Sequence, residues 1–439
     1  AWAIRWLCSR SEQAAWIRAE RGLNRRTARW GLIVVILLFL LPLFRQWSGI
    51  AEPMHRYDLY SFAFMGYLPL SDARSYLNGA HQLLTQGTLN EWNERRPLNA
   101  AFLAARLAVT GLRLEMATLL QVVLLAASVF WLADFLRRRY GVWTGVGCVG
   151  LCLAYAQCFM GTCLSEALGM TLGCVALRLL LSGISSTSPL SVFAAGLGLA
   201  LAIQARVGAV TVLGGPIVFG LWCTWRGDWT RRVLLSLLAG TVAGVLFPLL
   251  LARVYGGVDG LPHSNAGYTF CGMSENLTWV QVREKYKLEL EKRPSERERA
   301  QFLWERGWES LRRQPELTIE YLRRSWRGFA GDLFLHLQTI LLATLPFSEA
   351  ISSYLTSLFA VSTGLWFGFA CPIGRYRREI ALWSLLLGSM LTFVPFIYID
   401  GGWRVLAATW PVMAGALSLW LQSPFRREWR RPAAGENWP

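Results

Sequence analysis

Apolar runs close to the ~20 residues that a helix needs to cross a ~30 Å hydrocarbon core recur along the 439-residue chain. They fall at 31–44, 116–136, 142–160, 166–183, 190–205, 208–225, 232–254, 351–371, 380–398 and 403–421. No segment shows the alternation of polar and apolar residues that a membrane strand requires. In lipid the backbone must satisfy its own hydrogen bonds, and helices do so one segment at a time. The pattern therefore predicts an all-α polytopic membrane protein with about ten transmembrane helices.

The polar intervals carry their own periodicity. Residues 47–114 form a loop of near-balanced charge with two weakly amphipathic helical stretches, at 72–86 and 98–110. Residues 256–331 are dense in both signs of charge, and Val282-Arg-Glu-Lys-Tyr-Lys-Leu-Glu-Leu290 reads as a surface helix, with Pro294 and Pro315 as breaks. Residues 332–346 are expected to lie flat at the interface as an amphipathic helix. The organisation that follows has a basic N-terminus (1–30), an N-terminal transmembrane module (31–255) containing the 47–114 loop, and an outer helical layer (256–346). C-terminal transmembrane helices (347–421) and a short tail (422–439) complete it.

Charge orients this arrangement. The chain is 54% hydrophobic, 16% charged and carries a formal net charge of +16. Its arginines sit in short segments between apolar runs rather than on one basic face, which argues against a nucleic-acid partner and for the positive-inside rule. Arg5, Arg10, Arg18, Arg21, Arg25, Arg26 and Arg29 precede the first run. Arg137–Arg139, Arg226 with Arg231 and Arg232, Arg375 with Arg377 and Arg378, and Arg426, Arg427, Arg430 and Arg431 follow. Both termini of this multi-pass protein are thus expected in the cytoplasm. The first run should remain as a helix, since Arg45, Gln46 and Trp47 follow it in place of a small-residue cleavage site. Most of the cysteines, Cys148, Cys152 and Cys174 among them, lie in or beside apolar runs without a CxxC, and read as small packing residues. His55, His81, His263 and His336 have no metal-ligand spacing.

Ionisable residues at membrane depth are candidates for function, and several fall at the non-cytoplasmic ends of the spans. Asp72 and Tyr76 open the first loop helix, and Arg95 and Arg96 follow in the same loop. Glu166 starts the fourth span, Arg206 occupies the tight turn after Gln204-Ala205, and Asp400 and Arg404 flank the last turn. Individually they have plainer readings: Ser71-Asp72 as a helix cap, Glu166 as a solvated loop residue, Arg206 and Arg404 as snorkelling anchors, Trp92 and Trp403 as belt aromatics. Together they place both signs of charge, from four distant loops, on one face. Chemistry on that face has no access to cytosolic nucleotide sugars, so its donor must arrive through the bilayer. A lipid-linked phosphate suits guanidinium groups, which pair with phosphate oxygens bidentately.

The stretch Asp72-Ala-Arg-Ser-Tyr-Leu-Asn-Gly-Ala-His-Gln-Leu-Leu-Thr-Gln-Gly87, followed by Arg96-Pro97-Leu98, resembles the first outer loop of GT-C glycosyltransferases. The likeness is to the dolichyl-phosphate-mannose protein mannosyltransferase and aminoarabinose transferase group (family 39-like). Ser165-Glu166-Ala167, the Gly196 to Arg206 segment, and Trp403-Arg404 before Pro411 are similar in order and position. Gly267-Tyr268-Thr-Phe-Cys-Gly272 with Trp279 resembles an outer-loop motif of bacterial members. Ala73 stands where the family often has a second acidic residue, and the large C-terminal periplasmic domain of some members is not expected here.

The resemblance implies an inverting transfer of a sugar from a polyprenyl-phosphate donor to a glycan, lipid or protein acceptor. It casts Asp72 and Glu166 as catalytic. Arg95, Arg96, Arg206, Arg404, Asp400, Tyr76 and Tyr268 would hold lipid phosphate and sugar. Inversion needs a carboxylate base opposite the leaving group, and a departing phosphate needs charge neutralisation more than protonation. Related enzymes admit a divalent metal, although neither a DxD nor a histidine cluster calls for one here. Two other classes share the pattern. A transporter or lipid flippase would show repeats and broken helices, for which Gly214-Gly215-Pro216 is the one candidate. A non-catalytic scaffold would use the charge-rich helices at 280–327 to bind another protein.

Overall fold

The computed structural model describes residues 25–47, 63–64, 68–157, 159–206, 210–256, 265–341 and 377–422. These residues are almost entirely helical. The exception is a two-stranded antiparallel ribbon, β1 (Ala63–Phe64) and β2 (Leu68–Pro69), in the first loop. Four helices are long and apolar enough to cross a bilayer: Leu114–Tyr140, Glu166–Ser186, Arg231–Tyr255 and the Glu379–Ile399 part of a fourth. Shorter apolar helices pack among them. The chain is an all-α membrane protein.

Helix α1 (Arg25–Trp47) precedes the ribbon and three loop helices, α2 (Ser71–Gln86), α3 (Glu91–Glu94) and α4 (Pro97–Val109). The sequence places α2 and α4 within a residue of their observed limits, because Pro97 supplies the first position of α4, where its missing N–H costs nothing. The transmembrane bundle follows as α5 (Leu114–Tyr140), α6 (Val142–Ala156), α7 (Glu166–Ser186), α8 (Pro189–Ala205), α9 (Gly214–Trp225, after a 3-10 turn at Val210–Leu213) and α10 (Arg231–Tyr255). Short connections force successive helices to run antiparallel. The start of α5 and α7 and the end of α6, α8 and α10 therefore share one end of the bundle.

Beyond α10 a helical layer forms from α11 (Asn265–Glu275), α12 (Trp279–Lys285), α13 (Lys287–Glu291), α14 (Glu296–Arg313) and α15 (Pro315–Leu341). Thr278 and Gln281 cap α12 reciprocally, and Ser295 caps α14 just past Pro294. The layer has its own small core of Tyr268, Cys271, Val282, Leu290, Phe302 and Leu303. Of the amphipathic helix expected at 332–346, the residues up to Leu341 are described and are helical. Residues up to Leu341 continue α15 without a break, because nothing between Pro315 and Leu341 stops a helix. The span expected at 351–371 lies outside the described residues, as do most of the basic N-terminus and the tail.

The last described elements are α16 (Arg377–Gly401), a 3-10 turn at Gly402–Leu406 and α17 (Trp410–Gln422), so the expected span at 403–421 begins only after the turn. The turn is held from below. Tyr155 stacks on Trp410 at 4.7 Å and donates through its hydroxyl to the Trp403 carbonyl at 2.8 Å, while Trp410 Nε1 donates to Leu151 O at 3.0 Å. Gly173 of α7 makes this approach feasible, since a Cβ there would stand 2.2 Å from the Ala408 carbonyl oxygen. At the opposite end of the bundle, Glu379 of α16 accepts from Arg139 Nε at 2.9 Å and from the Tyr140 hydroxyl of α5. The hydrophobic core runs continuously between these two polar ends.

Candidate functional site

Four segments bring charged side chains together at the end of the bundle where α7 begins. Glu166, the first residue of α7, is completely buried. Its Oε1 accepts from Arg404 Nε and lies 3.8 Å from Arg206 Nε, and Ser165 Oγ stands 3.4 Å from its Oε2. Arg206, at the end of α8, is itself buried. Arg404 then reaches Asp72 through Nη2 at 3.4 Å. Tyr76, one helical turn beyond Asp72, is buried and points its hydroxyl at Ser165 Oγ, 3.4 Å away. Arg96 closes the group, beside Tyr76 and within electrostatic reach of Asp72 and Glu166. Three guanidinium groups against two carboxylates leave one net positive charge.

The plainer readings of these residues are not what the structure contains. Leu70 is the N-cap of α2 and no side chain caps it, so neither Ser71 nor Asp72 plays that part. Ser71 takes a positive φ of 49°, a conformation costly for a residue with a Cβ, next to Asp72. Arg206 and Arg404 turn inward to Glu166 rather than out to headgroups. Trp403 is buried at 1% exposure, and Trp92 packs edge-on against Tyr76 at 4.7 Å.

Asp72 and Glu166 differ in one decisive respect. The Asp72 side chain is 36% exposed, whereas that of Glu166 is at 0%. Asp72 is the carboxylate open to solvent, and Glu166 holds two arginines in place.

Two of the expected site residues belong elsewhere. Arg95 turns away from its neighbour Arg96 and binds Glu296 and Asn265 (3.3 Å) of the helical layer, because the backbone turns sharply between the end of α3 and Arg96. Tyr268 is in α11 against Trp279, 5.1 Å between rings, and close to that same Arg95–Glu296 pair. Asp400 lies in the last turn of α16, and its side chain is outside the described residues. No group of three or more His, Cys, Asp or Glu suited to a metal is present among the described residues.

The sequence reading missed Ser165 as a partner of both Tyr76 and Glu166, and it missed Asn99 and Arg106. These two are the polar residues of an otherwise apolar α4, seven apart and so on one face. That spacing was the available signal. Asn99 Nδ2 donates to the Cys163 carbonyl at 3.1 Å and pins the loop that leads to Glu166.

Comparison with protein-family models, with curated proteins and with solved structures gives no match for this chain.

Proposed function

We propose that this protein is a membrane-embedded inverting glycosyltransferase of GT-C type, which moves a sugar from a polyprenyl-phosphate donor to an acceptor on the non-cytoplasmic face. The observation that carries this reading is the convergence of Arg96, Arg206 and Arg404 with one accessible carboxylate, Asp72, at the end of the bundle where α7 begins. The reading includes about ten crossings and cytoplasmic termini, in keeping with the arginine distribution, and an inner (plasma) membrane location, which the family resemblance implies.

In this mechanism the Asp72 carboxylate takes the proton from the acceptor hydroxyl as that oxygen bonds to the anomeric carbon. The bond from the anomeric carbon to the phosphate oxygen breaks, and the electron pair leaves on the phosphate. Arg96 and Arg404 stabilise the charge that develops there. Arg404 meets Asp72 at 3.4 Å, so an arriving phosphate that draws the guanidinium towards itself also frees the base. Glu166 and Tyr76 position the arginines. Arg95 and Tyr268 fix the loop to the helical layer and act through Arg96.

The test is transfer from radiolabelled polyprenyl-phosphate hexoses to extractable acceptors in membranes containing the wild-type chain, beside Asp72→Asn. Transfer that disappears in the inserted, folded variant supports the reaction and the base. Equal transfer by both removes Asp72 from the chemistry. No transfer from any donor in a broad panel refutes the enzyme and moves a lipid transporter or a scaffold ahead.

A further inference from the structure

A second cationic centre lies on the far end of α4, and nothing in the reaction above uses it. Arg106 is 3% exposed. Its Nη1 donates to Ala117 O at 2.7 Å, while Nε and Nη2 have no hydrogen-bond partner. The neighbour it meets electrostatically is the buried Cys163 thiol, and no carboxylate stands beside it among the described residues. Phe102 covers one face of the guanidinium at 4.9 Å.

A buried cation without a counter-charge is among the more costly features a membrane protein can carry, and here it has company. The Ala117 carbonyl points along α5 at the N–H of Gln121, as any helical carbonyl points four residues on. The guanidinium therefore sits level with Gln121. That side chain is 2% exposed, and both its amide oxygen and its amide nitrogen lack partners. Two polar side chains on facing helices thus present unused donors to one seam. Val109, Leu112 and Met116, at the connection from α4 to α5, are exposed at 80%, 57% and 47%. An apolar rim around a donor-lined interior fits a ligand with an anionic head and an oily tail.

We infer that the seam between α4 and α5, lined by Arg106 and Gln121, is a binding site for a phosphate-bearing anion separate from the Asp72–Arg404 centre. The phosphate accepts from Arg106 Nε and Nη2 and from the Gln121 amide, and so supplies the missing counter-charge. Its source is a lipid headgroup seated at the rim or free inorganic phosphate.

Full-length protein in nanodiscs separates these sources. Thermal unfolding is followed in phosphatidylcholine alone, in phosphatidylcholine with inorganic phosphate, and in discs containing phosphatidylglycerol. Stabilisation in the second arm assigns free phosphate, and in the third a lipid headgroup. Either supports the site provided the effect weakens tenfold or more in apparent affinity in Arg106→Gln and in the near-isosteric Gln121→Leu. It must also survive in Arg404→Ala, which alters only the other centre. Stabilisation that follows Arg404 instead of Arg106 overturns the inference, as does a wild type that responds to neither phosphate source.

Arg106→Met keeps the outcome decisive if the other variants fold poorly. An empty seam makes this variant as stable as wild type or more so, because a solvent-deprived charge has been removed. An occupied one makes it less stable and indifferent to phosphate. The readout is binding, so a failure here leaves the transfer assay untouched, and a failure there leaves this site standing.

Discussion

Replacing Glu166 by glutamine keeps the shape of the side chain and removes its charge. In the folded protein this carboxylate is fully buried between Arg404 and Arg206, so its loss leaves Arg206 facing only an amide in a low-dielectric site, while Arg404 keeps the partly exposed Asp72. Breaking a buried pair by removing one partner costs about 3–5 kcal/mol, which is roughly two to four decades in the unfolding equilibrium at about 1.4 kcal/mol per decade. The matching change at Asp72 removes a carboxylate that is 36% exposed and 3.4 Å from its partner, and exposed pairs contribute about 1 kcal/mol or less. Glu166→Gln should therefore unfold far more readily than Asp72→Asn, although Asp72→Asn is the variant expected to lose transfer. Reversible unfolding in mixed micelles, followed by the fluorescence of the 22 tryptophans, measures both. Adding Arg404→Gln to Glu166→Gln should cost less than the sum of the two, since both changes remove the same ion pair. Equal stability of Glu166→Gln and wild type, or strict additivity, would refute the buried-pair account.

Other expectations test the frame around the site. Gly240→Ala puts a Cβ 2.1 Å from the Phe193 carbonyl oxygen at the contact of α8 with α10, and should destabilise by about 1–3 kcal/mol in the same unfolding assay. Glu296→Gln releases Arg95 from the helical layer, and should raise hydrogen exchange across α11 and α14 while leaving the 114–140 helix protected. Tyr155→Phe removes the hydroxyl that donates to Trp403 O, and should cost about 1 kcal/mol and weaken donor binding through Arg404. In the layer, burial and the hydrogen bond to Glu275 hold the Tyr286 phenol protonated above its ordinary range. The stabilisation from this proton is complete below about pH 10, the unfolded value, and is lost as pH rises through the folded value. Alkaline exchange at 265–313 should thus accelerate in wild type and less so in Tyr286→Phe.

By itself the sequence determined that the chain lives in lipid and is helical, and it located the two loop helices almost to the residue. Hydrophobic length, 3.6-residue periodicity and the prolines at 97, 294 and 315 are local signals, and each acts on its own few residues. It also pointed to Asp72, Tyr76, Arg96, Glu166, Arg206 and Arg404, because charge at the end of an apolar span is conspicuous wherever the span packs. Tertiary structure alone decided what those charges meet. Arg404 and Glu166 are 238 residues apart in sequence, and no local pattern says that one guanidinium joins both carboxylates or that Glu166 is the buried one. Arg95 and Arg96 are neighbours of the same type, yet one serves the helical layer and the other the charged centre, a difference set by a backbone turn at a single residue. The sealed position of Arg106 depends likewise on which helix lies alongside. Spans are fixed by the free energy of each segment in lipid, whereas charge pairing is fixed by distances of a few ångströms between segments that only the packed bundle brings together.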